Sequence, residues 1–211
     1  MLSYSPVSPD QISDPDLLEM WRAGDRQAGE KLITRHFAAV STFFRNKAFD
    51  DSEDLTQQTF RQLCQSKDGF RSESSVRTWL FTIAHNLLVD HIRRRRRREH
   101  VDLDLDSLMD LGATPSSVVS RSRQCTRLAR ALRHIPVHEQ IALEMNYWQG
   151  CSHTEIAQIL GVPVGTIKSR ITQGKSRLRT RLVAWSRGGA AVEDDQIEQW
   201  LADLRDQLPT L

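Results

Sequence analysis

Residues 153–182 constrain the fold more than any other part of this chain. Ser152 and Glu155 are spaced as a capping box, in which the serine oxygen accepts from a free helix amide and the carboxylate accepts from the serine's own amide. A short helix therefore starts here and ends at Gly161, which permits a sharp turn without a side-chain clash. Pro163 presets the backbone for another helix. The pattern predicts two helices joined by a tight turn.

The second helix of this pair begins at about Val164 and has two different faces. Its apolar residues recur at helical spacing, which predicts a buried stripe, while the opposite face suits the base edges and phosphates of DNA. The stripe is Ile167, Ile171, Leu178 and Leu182, the opposite face is Thr166, Ser169, Arg170, Gln173 and Arg177, and Lys168, Thr172 and Lys175 flank it at positions suited to phosphates. An ordinary helical hairpin with a solvated basic face is the alternative, and the scarcity of acids argues against it.

The charge of the chain is segregated along its 211 residues, of which 39% are hydrophobic. The net charge is +3 over residues 1–98, −5 over 99–120, +9 over 121–187 and −5 over 188–211. Such a length and composition fit two small domains. The distribution is typical of a nucleic-acid-binding protein with acidic linker and tail segments.

Cysteine usage and hydropathy indicate a cytosolic protein. Cys64, Cys125 and Cys151 are far apart and odd in number, so they suggest neither a disulfide framework nor a zinc knuckle. No apolar run approaches the roughly 20 residues that span a bilayer, and the N-terminus lacks a signal-peptide core. We therefore expect a soluble, cytoplasmic chain without membrane insertion.

The N-terminal half predicts four helices and no strands, so the fold class is expected to be all-α. The first helix begins at Asp14 with Pro15 just inside it, and the second is aromatic-rich. A third begins near Asp51 with acids in its first turn, and a fourth runs from about Ser75 to the arginine run. Expected inward residues are Phe37, Val40, Phe43 and Phe44 in the second helix, Leu55, Phe60 and Leu63 in the third, and Leu80, Ile83, Leu87 and Ile92 in the fourth.

Six consecutive arginines, Arg93–Arg98, mark the end of this half. The helix dipole explains part of such a run, but the mutual repulsion of the charges favours a nearby anion, and phosphate contact is preferred to a merely solvated end. Residues 99–120 then turn abruptly acidic and rich in Gly, Thr, Pro and Ser, which predicts a linker with little structure of its own.

Three blocks in this order resemble one known family. They are DDSEDLTQQTF (50–60), FRSESSVRTWLFTIAHNLLVDHIRR (70–94) and LARALRHIPVHEQIALEMNYWQGCSHTEIAQILGVPVGTIKSR (128–170). The chain resembles the extracytoplasmic-function sigma factors of bacterial RNA polymerase over roughly residues 15 to 185. The resemblance implies a four-helix sigma region 2 domain at 15–98, a flexible acidic linker at 99–120, a helix-turn-helix sigma region 4 domain at 121–185 and an extra segment at 186–211.

The resemblance also implies a role for each matching residue of the first domain. Asp54, Gln57 and Gln58 would contact core polymerase, although the family more often has glutamate where Gln58 stands, and a well-capped helix start is the alternative explanation of DDSEDL. The residues implied at the minus-10 element are Phe70, Arg71, Ser72, Glu73 and Ser74 in a loop, with Asn86, Asp90, Arg93 and Arg94 beside the adjacent duplex. Extruding a base there costs a few kcal/mol, which a pocket that accepts the base and a basic surface that holds the strand must offset. Trp79 fits the apolar pattern and is interpreted as core.

For the second domain the resemblance implies contact with the minus-35 element. The residues concerned are Thr166, Lys168, Ser169, Arg170, Gln173 and Arg177. Arg170 is the first choice because bidentate arginine–guanine contact is the commonest specific pairing. Gln140 and Ile141 depart from the arginine–glutamate pair common in the family. The acidic linker would suit a cationic polymerase channel that otherwise holds RNA.

The segment after residue 185 is not covered by the resemblance. Its apolar residues Ile197, Trp200, Leu201, Leu204 and Leu208 share one helical face, which predicts an amphipathic helix at about 193–208. We favour packing against its own domain. The alternative is that this acidic segment covers the basic domain and lowers its affinity for DNA.

Two other function classes remain open. A stand-alone helix-turn-helix regulator would bind operator DNA without polymerase. An enzyme with a zinc site is a further class, but the cluster of His134, His138, Cys151 and His153 has unsuitable spacing and is used structurally. We expect no metal, no cofactor and no catalysis by the chain itself. The implied partners are core RNA polymerase and promoter DNA, with an anti-sigma factor as a further candidate.

Overall fold

A computed structural model describes residues 12–99, 123–185 and 194–207. Within these ranges every regular element is a helix and none is a strand, which confirms the predicted all-α class. The predicted linker at 99–120 lies outside the described residues except for Glu99. That residue is the last of the fourth helix, so the sequence interpretation placed the end of the helix one residue too early.

The N-terminal domain consists of four helices, as the periodicity predicts. They are α1 (Asp14–Arg22), α2 (Arg26–Arg45), α3 (Ser52–Ser66) and α4 (Val76–Glu99). Short 3-10 turns at Phe49–Asp51 and Lys67–Gly69 lead into and out of α3. The helices pack in sequence, α1 on α2, α2 on α3 and α3 on α4, so that short connections link neighbours in space.

Capping explains where these helices begin, with one correction. The Asp25 carboxylate caps α2 by accepting from the amides of Gln27 at 2.9 Å and Ala28 at 3.2 Å. The expected well-capped start of α3 is wrong in one respect, because the Asp51 side chain makes no capping hydrogen bond. Its carboxylate lies 3.5 Å from Nε2 of His91 instead, so it ties α3 to α4.

Aromatic and aliphatic side chains from α2, α3 and α4 form the core of this domain. The Phe43 ring meets the rings of Phe44 and Phe81 edge-on, with centroids 5.3 and 5.9 Å apart. The inward face of α4 differs from the expected one, since Leu88 is fully buried while Leu87 is only half-buried. Leu80, Phe81, Ala84, Leu88 and Ile92 are all buried because α4 is covered on a second side by the C-terminal domain.

The C-terminal domain is built from five helices in the described residues. They are α5 (Arg123–Leu132), α6 (Val137–Tyr147), α7 (His153–Leu160), α8 (Val164–Ala184) and α9 (Asp194–Gln207). Helix α9 packs on α5, α6 and α8, with Ile197 and Leu201 fully buried and Trp200 half-buried. This confirms the favoured interpretation that the extension packs on its own domain. Leu208 lies outside the described residues.

The helix-turn-helix forms as its residues predict. The Ser152 amide donates to Glu155 Oε2 at 2.8 Å and the Glu155 amide donates to Ser152 Oγ at 3.2 Å, which completes the capping box. Gly161 ends α7 with φ +64°, a left-handed conformation that favours glycine. Pro163 precedes the first residue of α8.

The two domains pack directly on each other. Helix α7 lies against α4, and one continuous apolar core includes residues from both domains. Within this contact, the Lys47 ammonium after α2 pairs with the carboxylate of Glu144 on α6, and both side chains are withdrawn from solvent. The structure therefore places the promoter-contacting residues inferred for the two domains on neighbouring surfaces.

Candidate nucleic-acid interface

Helix α8 separates a sealed apolar side from a solvent-facing polar side. Ile167, Ile171, Leu178 and Leu182 are buried, as predicted. Gly174 is also buried, and a Cβ atom there would approach Leu143 Cδ1 to 2.9 Å. Glycine at this position thus permits the close approach of α8 to α6.

The six residues inferred for the minus-35 element lie along this projecting side, and we call them the minus-35 face. They are Thr166, Lys168, Ser169, Arg170, Gln173 and Arg177. Lys168, Ser169, Gln173 and Arg177 are exposed, whereas Thr166 and Arg170 are half-buried. The Gln173 amide donates to Ser169 Oγ at 3.2 Å, which pre-orients two side chains able to contact base edges.

Arg177 is held by a carboxylate that the sequence did not single out. Its Nε atom lies 3.0 Å from Oε1 of Glu139 on α6, whose side chain is 1% exposed. Burial raises the pKa of Glu139, and the positive charges of Arg177 and Arg170 act in the opposite direction. A buried acid beneath the basic face thus directs Arg177 and moderates the local positive charge.

Arg170 faces the N-terminal domain as well as solvent. It lines a cavity of about 370 Å³ between the domains, which we call the interdomain cleft, together with His85 and Arg93 of α4. Burial lowers the pKa of His85; its hydrogen bond with Asn86 opposes this, and the charge of Arg170 adds to the lowering. The residue inferred to contact a guanine therefore lies beside the helix inferred to contact the minus-10 region.

Contacts with Trp79 and Arg22 hold the start of the loop before α4. The Phe70 ring stacks on Trp79 with centroids 4.6 Å apart, and Arg22 donates from Nη2 to the Phe70 carbonyl at 2.6 Å and from Nε to the Lys67 carbonyl at 2.8 Å. Trp79 packs half-buried against the core, consistent with its interpretation as a core residue. Ser72 has φ +58°, which is uncommon for a residue other than glycine.

The remaining residues inferred for the minus-10 element are on the surface. Arg71, Ser72 and Glu73 are exposed at the tip of the loop, while Phe70 and Ser74 are half-buried. Asn86, Asp90, Arg93 and Arg94 are exposed on α4, and Arg93 lies 3.9 Å from Asp90. We call these loop and helix residues together the minus-10 surface.

The residues inferred to contact polymerase lie near the start of α3. Asp54 and Gln57 are exposed, and the half-buried Gln58 donates from Nε2 to Asp54 Oδ2 at 2.6 Å. Phe37 of α2 was expected to point inward but is 45% exposed, and it stacks on Phe60 with centroids 5.8 Å apart. The sequence interpretation of Phe37 as an inward residue is therefore wrong, although Phe37 fits the apolar helical pattern.

The described ranges were searched for a cluster of metal ligands and for a helix that could span a membrane. No group of three or more histidine, cysteine or acidic side chains there could hold a metal ion. His134 Nδ1 donates to the Arg130 carbonyl at 2.8 Å, and burial raises the pKa of Cys151 to about 11. Among the described helices, none is both long and apolar enough to cross a membrane.

Comparison with known proteins identifies both domains. Residues 32–98 match the family model of Sigma-70 region 2, and residues 125–178 match that of Sigma-70 region 4. The ECF RNA polymerase sigma factor RpoE of Cereibacter sphaeroides is 32% identical over 154 residues, which are 71% of this chain and 84% of the relative. The chain belongs to the extracytoplasmic-function sigma factors.

Other relatives agree with this assignment. The ECF sigma factor SigM of Mycobacterium tuberculosis is 29% identical to this sigma factor over 183 residues, covering 85% of this chain and 89% of the relative. The structure of sigma factor RpoE from Bartonella quintana, solved with the anti-sigma factor NepR, matches with a TM-score of 0.59 and 26% identity, covering 77% of this chain and 99% of that one. This sigma factor directs RNA polymerase in promoter recognition and transcription initiation. Helix α9 lies beyond both matched regions.

Proposed function

We propose that this sigma factor contacts core RNA polymerase with Asp54, Gln57 and Gln58, opens the minus-10 element with the minus-10 surface, and contacts the minus-35 element with the minus-35 face. The observation that supports this assignment most is the division of α8. Its apolar stripe is buried inside the domain, while Lys168, Ser169 and Gln173 project into solvent from the first half of the helix. An α-helix presented in this way fits the major groove.

Base contacts and phosphate contacts fall to different side chains of the minus-35 face. Arg170 carries a planar guanidinium that can bind O6 and N7 of guanine together. Lys168 is a point charge suited to a phosphate oxygen, and Thr166 and Ser169 offer short hydroxyls for either. Arg177, whose Nε atom is held by Glu139, lies two turns beyond Arg170 on α8. It is therefore suited to contact the DNA backbone at the edge of the site.

The minus-10 surface supports strand opening because its loop is already ordered. The Phe70–Trp79 stack and the two carbonyls held by Arg22 keep the loop in place, so binding an extruded base need not first order the chain. The exposed Arg71 and the arginines of α4 supply positive charge for the separated strand. This combination offsets the few kcal/mol of stacking lost on extrusion.

In this proposal the chain acts in the cytoplasm and performs no catalysis of its own, since the polymerase makes RNA. A stand-alone regulator would use the minus-35 face without polymerase, leaving the exposed start of α3 and the minus-10 surface unused. Because the similar sigma factor of Bartonella quintana was solved with an anti-sigma factor, we also expect a protein of that class to regulate this chain.

The test is reconstitution with core RNA polymerase. Fluorescently labelled chain is titrated with core polymerase, and the complex is then supplied with genomic DNA fragments and nucleotides. We expect a stable complex and RNA synthesis that starts at defined positions. Binding of a specific duplex by the chain alone, with no association to polymerase, would support the regulator instead.

A further inference from the structure

A surface pocket lies at the C-terminal end of α8, and we call it the distal pocket. Its volume is about 340 Å³, within the range of roughly 300–1,000 Å³ that ligand sites occupy. Most of its walls come from α8, with one residue from the turn after α5. The lining includes His134, Ser176, Arg177, Thr180, Arg181 and Trp185. None of the described residues that line the pocket is acidic, whereas two are arginines.

The Trp185 indole forms one wall of the distal pocket and is held in place. Cζ of Arg130 lies 5.0 Å from the centroid of the indole, and the His134 ring meets the indole edge-on with centroids 5.4 Å apart. His134 is itself fixed, because its Nδ1 atom donates to the Arg130 carbonyl at 2.8 Å. Trp185 stays half-buried, so part of its ring faces the pocket. This wall therefore need not be ordered when a ligand binds.

Two guanidinium groups lie beside the aromatic wall. Arg177 and Arg181 are one helical turn apart, which is about 6 Å along the axis of α8 at 1.5 Å per residue. Glu139 pairs with Nε of Arg177, which leaves the terminal nitrogens of that guanidinium for another acceptor. Among the described residues, no carboxylate pairs with Arg181. Like charges at this spacing repel each other, so an anion bound between them would relieve the repulsion.

Hydroxyl groups complete the set of polar atoms in the distal pocket. Ser176 is exposed and can donate from Oγ to a ligand oxygen, while Thr180 donates to the Ser176 carbonyl at 3.0 Å and keeps its own oxygen as an acceptor. Guanidinium groups bind phosphate oxygens in a bidentate manner, and an indole stacks on nucleic-acid bases. A phosphate ester of a nucleoside therefore uses the charges, the hydroxyls and the aromatic wall together.

The helix dipole accounts for only part of this arrangement. A cation in the last turn of a helix is stabilised by the free carbonyls there, and Arg181 lies in that turn of α8. Arg177 lies about two turns from the end of the helix, and a dipole does not explain an indole left half-buried beside two like charges. The two explanations differ in their consequences, because a dipole partner changes the stability of the fold whereas a ligand site changes binding.

The distal pocket continues the minus-35 face along α8. Arg181 follows Arg177 by four residues, the spacing that also separates Thr166 from Arg170, so all four lie on the same side of the helix. Arg181 and Trp185 nevertheless lie beyond the last residue that matches the family model of Sigma-70 region 4. The matched helix-turn-helix therefore does not by itself supply this pocket.

We propose that the distal pocket binds a phosphate ester, with the phosphate between Arg177 and Arg181 and the sugar or base against Trp185. Two ligands carry this group, namely the DNA backbone beyond the minus-35 element and a free nucleotide. Arg177 belongs both to the pocket and to the minus-35 face, so a nucleotide bound in the pocket would compete with DNA for that side chain. The part of this inference that concerns DNA rests on the proposed function of the minus-35 face.

The first test follows the Nε1–H resonance of Trp185 in the full-length chain by NMR, assigned by comparison with Trp185→Phe. The probes are a duplex of mixed sequence, adenosine monophosphate and adenosine. We expect this resonance to shift with a probe that carries phosphate and not with adenosine, which has the same base and sugar. A shift with the duplex alone identifies the DNA backbone as the ligand, and a saturable shift with adenosine monophosphate identifies a free nucleotide.

The second test measures the affinity of Arg181→Gln for whichever probe shifts the resonance. For the duplex, the slope of log affinity against log salt should fall in magnitude by about 0.9, the value for one phosphate contact. For adenosine monophosphate, binding should weaken by about tenfold, as expected for loss of a charged hydrogen bond. Arg181→Lys keeps the charge and should retain the wild-type salt slope. Arg61→Gln makes the same substitution at an exposed position of α3 and is the matched control.

A Trp185 resonance that responds to none of the probes, or equally to adenosine and its monophosphate, would overturn the proposal. Equal losses in Arg181→Gln and Arg61→Gln would also overturn it, as would a lower Tm of Arg181→Gln with unchanged binding, which would show that Arg181 serves only the helix dipole. The resonance is measured on the wild-type chain, so it decides even if Arg181→Gln does not fold. Failure of the proposed function is seen separately, as absence of transcription by the wild-type chain with core polymerase.

Discussion

The Nε atom of Arg177 lies 3.0 Å from Oε1 of Glu139, so a carboxylate buried on α6 directs a basic side chain of the minus-35 face. The two residues are 38 positions apart in sequence, and the absence of a side chain at Gly174 eases the close packing of α8 on α6. This acid is costly to bury, since burial raises its pKa. We therefore expect Glu139 to contribute to DNA contact through Arg177 and not to stability.

Replacement of Glu139 by glutamine should therefore raise the stability of the fold and lower its affinity for DNA. We expect Glu139→Gln to stabilise the fold at pH 7 by about 1 kcal/mol, or roughly 2–4 °C in Tm for a chain of this size. Affinity for minus-35 DNA should fall by about fivefold, within the range for loss of a charge-assisted contact. Thermal melts and anisotropy measure the two effects.

The pH dependence of this variant follows from the direction of the shift. Because the pKa of Glu139 is higher in the folded chain than in the unfolded chain, its ionisation destabilises the fold as pH rises through the folded-state pKa. Below the ordinary glutamate pKa the group is protonated in both states, so wild type and Glu139→Gln should melt alike there. A stability difference that grew toward acid pH would contradict this account.

Substitution of Arg170 should change sequence specificity, whereas substitution of Lys168 should change overall affinity for DNA. We expect Arg170→Ala to lose about 1–3 kcal/mol of discrimination at one base pair, because a bidentate guanine contact disappears. Lys168→Ala should weaken binding uniformly across sequences and reduce the salt dependence by about one phosphate contact. Equal effects of both variants on every sequence would show that Arg170 contacts only the backbone.

Arg22 should act on promoter opening through the shape of the minus-10 loop. It donates to the carbonyls of Lys67 and Phe70, so Arg22→Ala removes these hydrogen bonds and leaves the loop held by the Phe70–Trp79 stack. We expect open-complex formation to fall by about tenfold, equivalent to about 1.4 kcal/mol, with binding to core polymerase unchanged. Permanganate reactivity of unpaired thymines measures opening. Wild-type reactivity in Arg22→Ala would remove this role.

Helix α9 should modulate DNA affinity through one lysine. Glu198 accepts from Lys175 at 2.7 Å, and this hydrogen bond, with one from Tyr147, lowers the pKa of Glu198. Lys175 flanks the minus-35 face, so Glu198→Gln should free it for a phosphate and raise affinity by about twofold. Asp195→Asn, which makes the same charge change on α9, is the control. Equal affinities for both variants would show that the Glu198–Lys175 pair does not restrain binding.

Local patterns in the sequence predicted most of the fold. The capping box of Ser152 and Glu155, the turn at Gly161 and the apolar stripe of α8 depend on residues close in sequence, and all three form as expected. The face of α4 was predicted less well, with Leu87 in place of Leu88, because a helix covered on two sides has no single apolar stripe.

The polar surface residues of the candidate site could be predicted from the sequence, but the buried residues that pair with basic side chains could not. Glu139 and Glu144 are both buried on α6, and the sequence gives no sign that their partners are Arg177 and Lys47. Such pairs depend on how α6 packs against α8 and against the N-terminal domain. Helical spacing gives no information on which helices pack together, so the sequence could not predict these two ion pairs.

The most direct test of the central account is a map of transcription starts made with core polymerase and either wild-type chain or Arg170→Ala. For wild type we expect starts downstream of two shared sequence blocks, one near position −10 and one near −35. Arg170→Ala should leave the downstream block intact and relax one or two positions of the upstream block. Loss of both blocks together, or starts independent of the added chain, would contradict the assignment of the two promoter elements to separate domains.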